Sequence, residues 1–280
     1  MDGFLLIDKP EGWPSRKAMN VVQRRLRVRG GYEGTLDPFA SGLLLVGVGR
    51  ATRFFPFFAH LLKEYVATLK LGEETDTLDV EGKVVERADV PVLSEEEVRS
   101  VLRMFVGTYE QIPPRYSALK VKGRRAYDLA RRGEDFNVRP RKVHVESLEL
   151  ISLEGDTITF RCSVGRGTYV RALGRDIARA LGTVGHLTML RRTAIGDFRV
   201  EDAKHPDEVE TSDLISPERA LYWMDALEIS GREGRLFLNG GRVRTRTGDG
   251  LYRVFVDGEF VGVGRVVEGL LKPERLLPRR

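Results

Sequence analysis

The side chains with chemical capacity are unevenly spread, and one stretch concentrates them. Between Tyr116 and Lys142 the chain carries Lys120, Lys122, Arg124, Arg125, Arg131, Arg132, Arg141 and Lys142, with Tyr116 and Tyr127 interleaved and only Asp128, Glu134 and Asp135 against them. Cations meet phosphates while rings stack on bases, so this pattern suits a nucleic-acid surface; a solvated basic helix has the same composition. Asp76 and Asp79 could be drawn as a carboxylate pair for glycoside chemistry. A polar turn between two strands is the simpler account of Thr75-Asp-Thr-Leu-Asp79. The four histidines, His60, His144, His186 and His205, have no metal-site spacing, so no metal is expected. No GxxxxGK[ST] loop is present, and Gly47-Val-Gly49 and Gly165-Arg-Gly167 lack the third glycine of a dinucleotide fingerprint. No cofactor is indicated.

Composition narrows the class. A chain of 280 residues suggests about two domains. An apolar content of 41% with 31% charged residues fits a soluble globular protein, because disorder would lack the first and membrane spanning the second. The longest apolar stretch, Phe54 to Leu62, is interrupted by Pro56 and His60 and falls short of the ~20 residues that cross a bilayer. Cys162 stands alone, which rules out a disulfide framework and suits a reducing compartment. The segment Met1 to Pro10 has no signal-peptide pattern, so a cytoplasmic location is expected. A net charge of +5 permits a polyanionic partner without demonstrating one.

Hydrophobic spacing then predicts the elements. Residues 4–8 and 43–48 read as buried strands, with a helix over Ser15 to Arg27 and a loop between. Glu64 to Gly72 alternates as a half-buried strand, and Gly82 to Glu86 is expected to pair with it or a neighbour. Ser94-Glu-Glu-Glu97 predicts a capping box opening an amphipathic helix. Ile158 to Val164 reads as a strand, and Tyr169 to Leu181 as a helix stopped by Gly182. Two alternating runs around Asp257-Gly258 predict a hairpin. The whole reads as α+β: a mixed, largely antiparallel sheet flanked by helices over residues 1–227, then a small β domain over 228–280.

Gly31-Tyr-Glu-Gly-Thr-Leu-Asp-Pro38, followed by Phe39-Ala-Ser-Gly42, resembles the signature of the TruB family of tRNA pseudouridine-55 synthases. The likeness continues in register at Leu6-Ile-Asp-Lys-Pro10, Lys63-Glu-Tyr65, Gln111 to Lys120, Gly167-Thr-Tyr-Val-Arg171 and Leu190-Arg-Arg192. Leu238 to Arg244 and the terminal hairpin resemble the small PUA domain of bacterial members.

What the resemblance implies is the pseudouridine synthase fold and cofactor-free isomerisation of a T-loop uridine, with tRNA as partner, no protein partner required and a monomeric enzyme. By the same resemblance Asp37 is the catalytic carboxylate, although an Asp-Pro after Gly-Thr-Leu is also a common turn. Arg171 is the arginine paired with it, and an opposite charge within ~4–6 Å favours an ionised carboxylate. Tyr65 is the residue that stacks on the base and handles its C5 proton, and Tyr169 and Leu190 line the base pocket. Lys9 is structural support, and the 116–142 segment is an insertion that grips the T-loop. Tyr32 stands where the family usually has histidine, and Glu33 where it has threonine or a small residue. The histidine fills the space of the everted base, and Tyr32 is expected to stack there. These departures leave a non-catalytic tRNA-binding protein on the same scaffold as the alternative. A guide-RNA-dependent synthase is disfavoured by the insertion, and by retention of Asp37, Tyr65 and Arg171 the enzyme is preferred to the binder.

Overall fold

A computed structural model describes residues 1–117, 119–121, 124–125, 129, 132, 136 and 138–277. In chain order the first elements are β1 (Gly3–Lys9), α1 (Ser15–Leu26), β2 (Gly30–Glu33), β3 (Ser41–Val48), α2 (Phe55–Phe58), β4 (Lys63–Leu71), β5 (Glu73–Thr75) and β6 (Val84–Arg87). Then come α3 (Glu95–Met104), β7 (Gly107–Gln111), β8 (Lys120–Val121), β9 (Arg124–Arg125), β10 (Arg141–Glu154), β11 (Thr157–Val164), α4 (Val170–Ala180), β12 (Gly185–Ile195) and β13 (Phe198–Arg199). The remainder is α5 (Pro217–Ala220), β14 (Asp225–Ile229), α6 (Gly231–Leu238), β15 (Val243–Arg244), β16 (Gly250–Val256), β17 (Glu259–Val267) and β18 (Leu270–Leu276). Among the described residues no helix is long and apolar enough to cross a membrane.

The main sheet runs β1-β3-β12-β4-β11-β10-β7, with β2 added to β3 and β13 to β12. Its neighbours are antiparallel except β3 and β12, which run parallel and meet only at Arg191↔Ser41 and Arg192↔Gly42. The α+β architecture with a largely antiparallel sheet is therefore as the sequence implied. β1 reads as unbroken apolar residues because both its faces are covered. Leu5 and Ile7 pack with Ala18, Met19 and Val22 of α1, while Phe4 joins Phe54, Phe58 and Phe198 on the other side. A separate core lies between α4 and strands β4, β11 and β10, built on Leu69, Phe160, Leu173 and Ile177.

The local signals behave as their chemistry requires. Ser94 accepts from the Glu97 amide while its own amide donates to the Glu97 carboxylate, completing the capping box of α3. Asp257 and Gly258 both take positive φ, 52° and 80°, which is what a two-residue turn between twisted strands needs. One expectation shifts in detail: the loop after α1 contains β2, paired with β3. Of the two partners open to the 82–86 strand, it is the neighbour, β5, that β6 pairs with.

The second sheet has the order β14-β16-β17-β18-β15 and encloses Phe237 of α6. Its first strand begins at Asp225, so the expected boundary after Leu227 falls inside it. Val263, Leu251 and Phe260 of this sheet pack into the aromatic cluster under β1, with Phe260 and Phe54 rings 5.9 Å apart.

Candidate active site

The residues around Asp37 form a loop fastened on both sides. The Ser15 hydroxyl, at the start of α1, accepts from the Leu36 amide and donates to the Leu36 carbonyl, each at 2.9 Å. On the other side the Pro38 carbonyl accepts from the Gly12 amide at 2.8 Å and from Lys9 Nζ at 3.2 Å. Lys9 is fully enclosed and also donates to the Pro10 and Trp13 carbonyls at 2.9 and 2.5 Å. Burial brings its pKa down to about 8, with the charge of Asp37 working against that fall. Its expected supporting role thus has a geometric content: it ties three carbonyls beneath the carboxylate.

Arg171 enters from the first turn of α4. Its Nε lies 2.8 Å from Asp37 Oδ2, and Nη2 donates to Asp37 Oδ1 at 3.1 Å. The guanidinium side chain is 5% exposed and the carboxylate 35%, so the anion faces solvent and its cation does not. The same guanidinium donates to the Thr77 carbonyl at 2.6 Å and the Tyr116 carbonyl at 3.1 Å, and Nη1 lies 3.3 Å from Asp79 Oδ2. Asp79 is itself buried and accepts from the Thr77 hydroxyl at 2.6 Å and the Glu81 amide at 3.0 Å. Its burial raises its carboxyl pKa, and the Thr77 hydrogen bond and Arg171 hold it down. The turn expected at 75–79 is real, but its last carboxylate belongs to the site, which the local sequence could not reveal because its partner is on α4.

Arg171, Arg175 and Arg179 recur every four residues on α4, a spacing that does not by itself tell them apart. The structure separates them. Arg175 pairs with Asp176 at 2.7 Å and Arg179 with Glu74 at 3.1 Å, leaving Arg171 alone directed at Asp37.

A cleft of about 310 Å³ opens over the Asp37–Arg171 pair, with Tyr65, Leu190, Tyr169 and Arg192 in its walls. That volume is at the lower end of the ~300–1,000 Å³ usual for ligand sites. Tyr65 stands on β4, and its hydroxyl accepts from Arg192 Nη1 at 3.4 Å. Arg192, 1% exposed, also donates to the Leu43 carbonyl at 2.6 Å and the Gly34 carbonyl at 2.9 Å, so it joins β12, β3 and the loop before Asp37. Sequence reading marked the Leu-Arg-Arg motif but gave Arg192 no task. Tyr169 precedes α4 and is fixed through its backbone: its amide donates to Gln111 Oε1 at 2.9 Å and its carbonyl accepts from Gln111 Nε2 at 3.2 Å. Burial raises the phenol pKa, and the nearby charges of Arg141 and Arg171 oppose this.

The two residues that depart from the family pattern point in different directions. Tyr32 packs, half-buried, with Trp13, Leu26 and Val28 against the α1 cluster and is not among the cleft walls, whereas Glu33 is. Burial raises the Glu33 pKa, and Lys63, Arg166 and Arg192 counter it. Lys63 is itself buried, donating to the Ala59 and Leu61 carbonyls at 2.9 and 2.6 Å, and burial lowers its pKa to about 8.

Of the expected RNA contacts, Arg141 and Lys142 are exposed on β10, next to β7, and Arg124 and Arg132 are also exposed. Lys120 and Arg125 are placed by backbone alone in the β8–β9 pair. Lys122 and Arg131 lie outside the described residues.

This arrangement, a reachable carboxylate with an enclosed guanidinium and an aromatic-walled cleft, set on a mixed sheet with a small β domain behind it, defines an RNA-modifying isomerase of the pseudouridine synthase class. A family profile described as "TruB family pseudouridylate synthase (N terminal domain)" matches residues 20–170. Two further profiles, "tRNA pseudouridylate synthase B C-terminal domain" and "Pseudouridine synthase II TruB, C-terminal", match 171–220 and 226–277. The chain is 40% identical to tRNA pseudouridine synthase B of Aquifex aeolicus (strain VF5), over 99% of this chain and 100% of that one. It is also 40% identical to tRNA pseudouridine synthase B of Aromatoleum aromaticum (strain DSM 19018 / LMG 30748 / EbN1), over 99% and 93%. A chain solved in "Crystal Structure of a Cbf5-Nop10-Gar1 Complex" superposes with a TM-score of 0.74 at 25% identity, over 98% of this chain and 84% of that one. The chain belongs to the TruB family of pseudouridylate synthases.

Proposed function

We propose that this enzyme isomerises uridine 55 in the T-loop of tRNA, acting as a single chain without a protein partner. The reaction breaks the N1–C1′ bond, turns the base and forms a C5–C1′ bond; the C5 proton leaves and N1 gains one, so atoms balance with no co-reactant. Asp37 is the catalytic group, attacking the nucleoside or stabilising the charge that develops as the glycosidic bond breaks. Arg171 orients it, Tyr65 stacks on the base and handles the C5 proton, and Leu190 and Tyr169 keep water from the intermediate. A loop nucleotide costs a few kcal/mol to evert, less than one in a duplex, so recognition favours loop shape over groove reading. Residues 116–142 grip the loop through Lys120, Lys122, Arg124, Arg125, Arg131, Arg132, Arg141 and Lys142. The β domain, residues 228–280 in the sequence reading, is a PUA-like module that adds affinity at the acceptor stem.

The observation that carries this reading is the partly exposed Asp37 carboxylate held on the buried Arg171 guanidinium at 2.8 Å. The experiment is tritium release from tRNA labelled at uridine C5, comparing the native chain with Asp37→Asn. Turnover surviving in the variant removes Asp37 from its role, and none in the native chain favours a tRNA-binding protein on this scaffold.

A further inference from the structure

The RNA surface considered so far lies on the 116–142 segment, yet a second run of cations lies beside the catalytic loop, on and around α1. From Gly12 to Tyr32 the sequence has no acidic residue and six cations, Arg16, Lys17, Arg24, Arg25, Arg27 and Arg29. α1 turns Ala18, Met19 and Val22 into the core and leaves Arg16, Lys17, Asn20 and Arg24 exposed along its outer face. These residues, with Gln23, line an open groove.

Among the described residues none of the six cations has a carboxylate within ion-pair distance. Lys17 lies 3.8 Å over the Trp13 ring, and Arg24 and Arg25 donate only to the Asn20 and Val209 carbonyls. An ordinary surface helix of this protein looks different. On α3, Arg99 and Arg103 pair with Glu95 and Glu96 at 2.9 and 3.3 Å. Leaving six like charges unpaired on one short segment is self-repulsive unless an anion arrives to relieve it.

Position says which anion. The stripe begins one residue after Ser15, whose hydroxyl holds Leu36 beside Asp37, and Gln23 donates to the Gly30 carbonyl of β2, which leads into the same loop. From Arg16 to Arg24 the helix rises ~12 Å, the reach of about three successive phosphates along a strand. We infer that α1 is a second RNA-binding surface, with Arg16, Lys17 and Arg24 holding the sugar–phosphate backbone of the substrate where it leaves the cleft. The inference rests on the tRNA reading of the site and adds to it the strand path on the α1 side.

The test is tRNA affinity measured across a series of salt concentrations for the native chain, the triple variant Arg16→Ala, Lys17→Ala and Arg24→Ala, each single alanine variant, and Arg16→Lys with Arg24→Lys. Each lost phosphate contact should reduce the slope of log affinity against log salt by about 0.7–0.9, so the triple variant should lose about two to three. The lysine variant should keep the native slope, because it keeps the charges. A native slope in the triple variant would overturn the inference, as would an equal loss in the lysine variant. Failure of the native chain to bind tRNA at all is a different result, and would sink the functional reading beneath it.

Discussion

Arg171 is the most heavily committed side chain of the site, and its commitments explain how Asp37 can be held half-open to solvent. A guanidinium offers donors in a fixed plane, and here they are divided between two carboxylates and two carbonyls. Asp79 is a positioning residue in this arrangement, since it touches the arginine from the side away from the cleft. Asp79→Asn leaves a buried guanidinium with one anionic partner, and it should lower single-turnover rates by about 10- to 100-fold while changing tRNA affinity little; equal rates would show that Thr77 and Tyr116 suffice. Lys63 gives a prediction of known sign. Its pKa falls from 10.5 to about 8 on folding, so between those values the unfolded chain holds a proton that the folded chain has released. Stability contributed by this lysine is present above 10.5 and is lost as pH falls through 8. The melting temperature of the native chain relative to Lys63→Met should therefore rise by a few degrees from pH 8 to 10, and a flat difference would refute the shift.

At the level of elements, what the sequence disclosed was whatever is decided within a few residues. The Ser94–Glu97 box and the Asp257-Gly258 turn are local bargains between neighbouring backbone groups, and both stand as read. β2 was hidden because four residues, Gly-Gly-Tyr-Glu, carry little strand pattern and pair only by courtesy of β3. The same limit governs the site. Asp37, Tyr65, Tyr169, Leu190 and Arg171 came from motif resemblance, whereas Asp79, Gln111 and Arg192 owe their roles to partners 58 or more positions distant: Asp79 meets Arg171, Gln111 meets Tyr169 and Arg192 meets Gly34. Gly42 belongs with these. It has φ +103°, and a Cβ there would run into the Arg192 backbone. Gly42→Ala is expected to cost about 1–3 kcal/mol and to slow turnover by displacing Arg192; a melting temperature within a degree of native would contradict this.

Taken whole, the main sheet carries apolar bodies toward both of its ends, and the terminal sheet has a core of its own. α1, β1 and β3 build on one side, and α4 with β4, β11 and β10 on the other. The terminal β domain leans on the first of them through Phe260, Val263 and the Arg253 contacts to the Met224 and Glu218 carbonyls at 2.8 and 3.0 Å. Between the two bodies β3 and β12 share just two residue pairs, supplemented by Arg192. The Asp37 loop crosses this join: Lys9 and Ser15 fasten it to the first body, while Leu36, Phe39 and Ala40 around Asp37 pack into the second, which carries Arg171, Tyr65 and Leu190. Catalytic alignment is thus a property of the join, while resistance to melting is a property of the banks. On warming, turnover should fade at temperatures where circular dichroism still registers a full complement of strands, and the enzyme would recover its rate on cooling without having refolded.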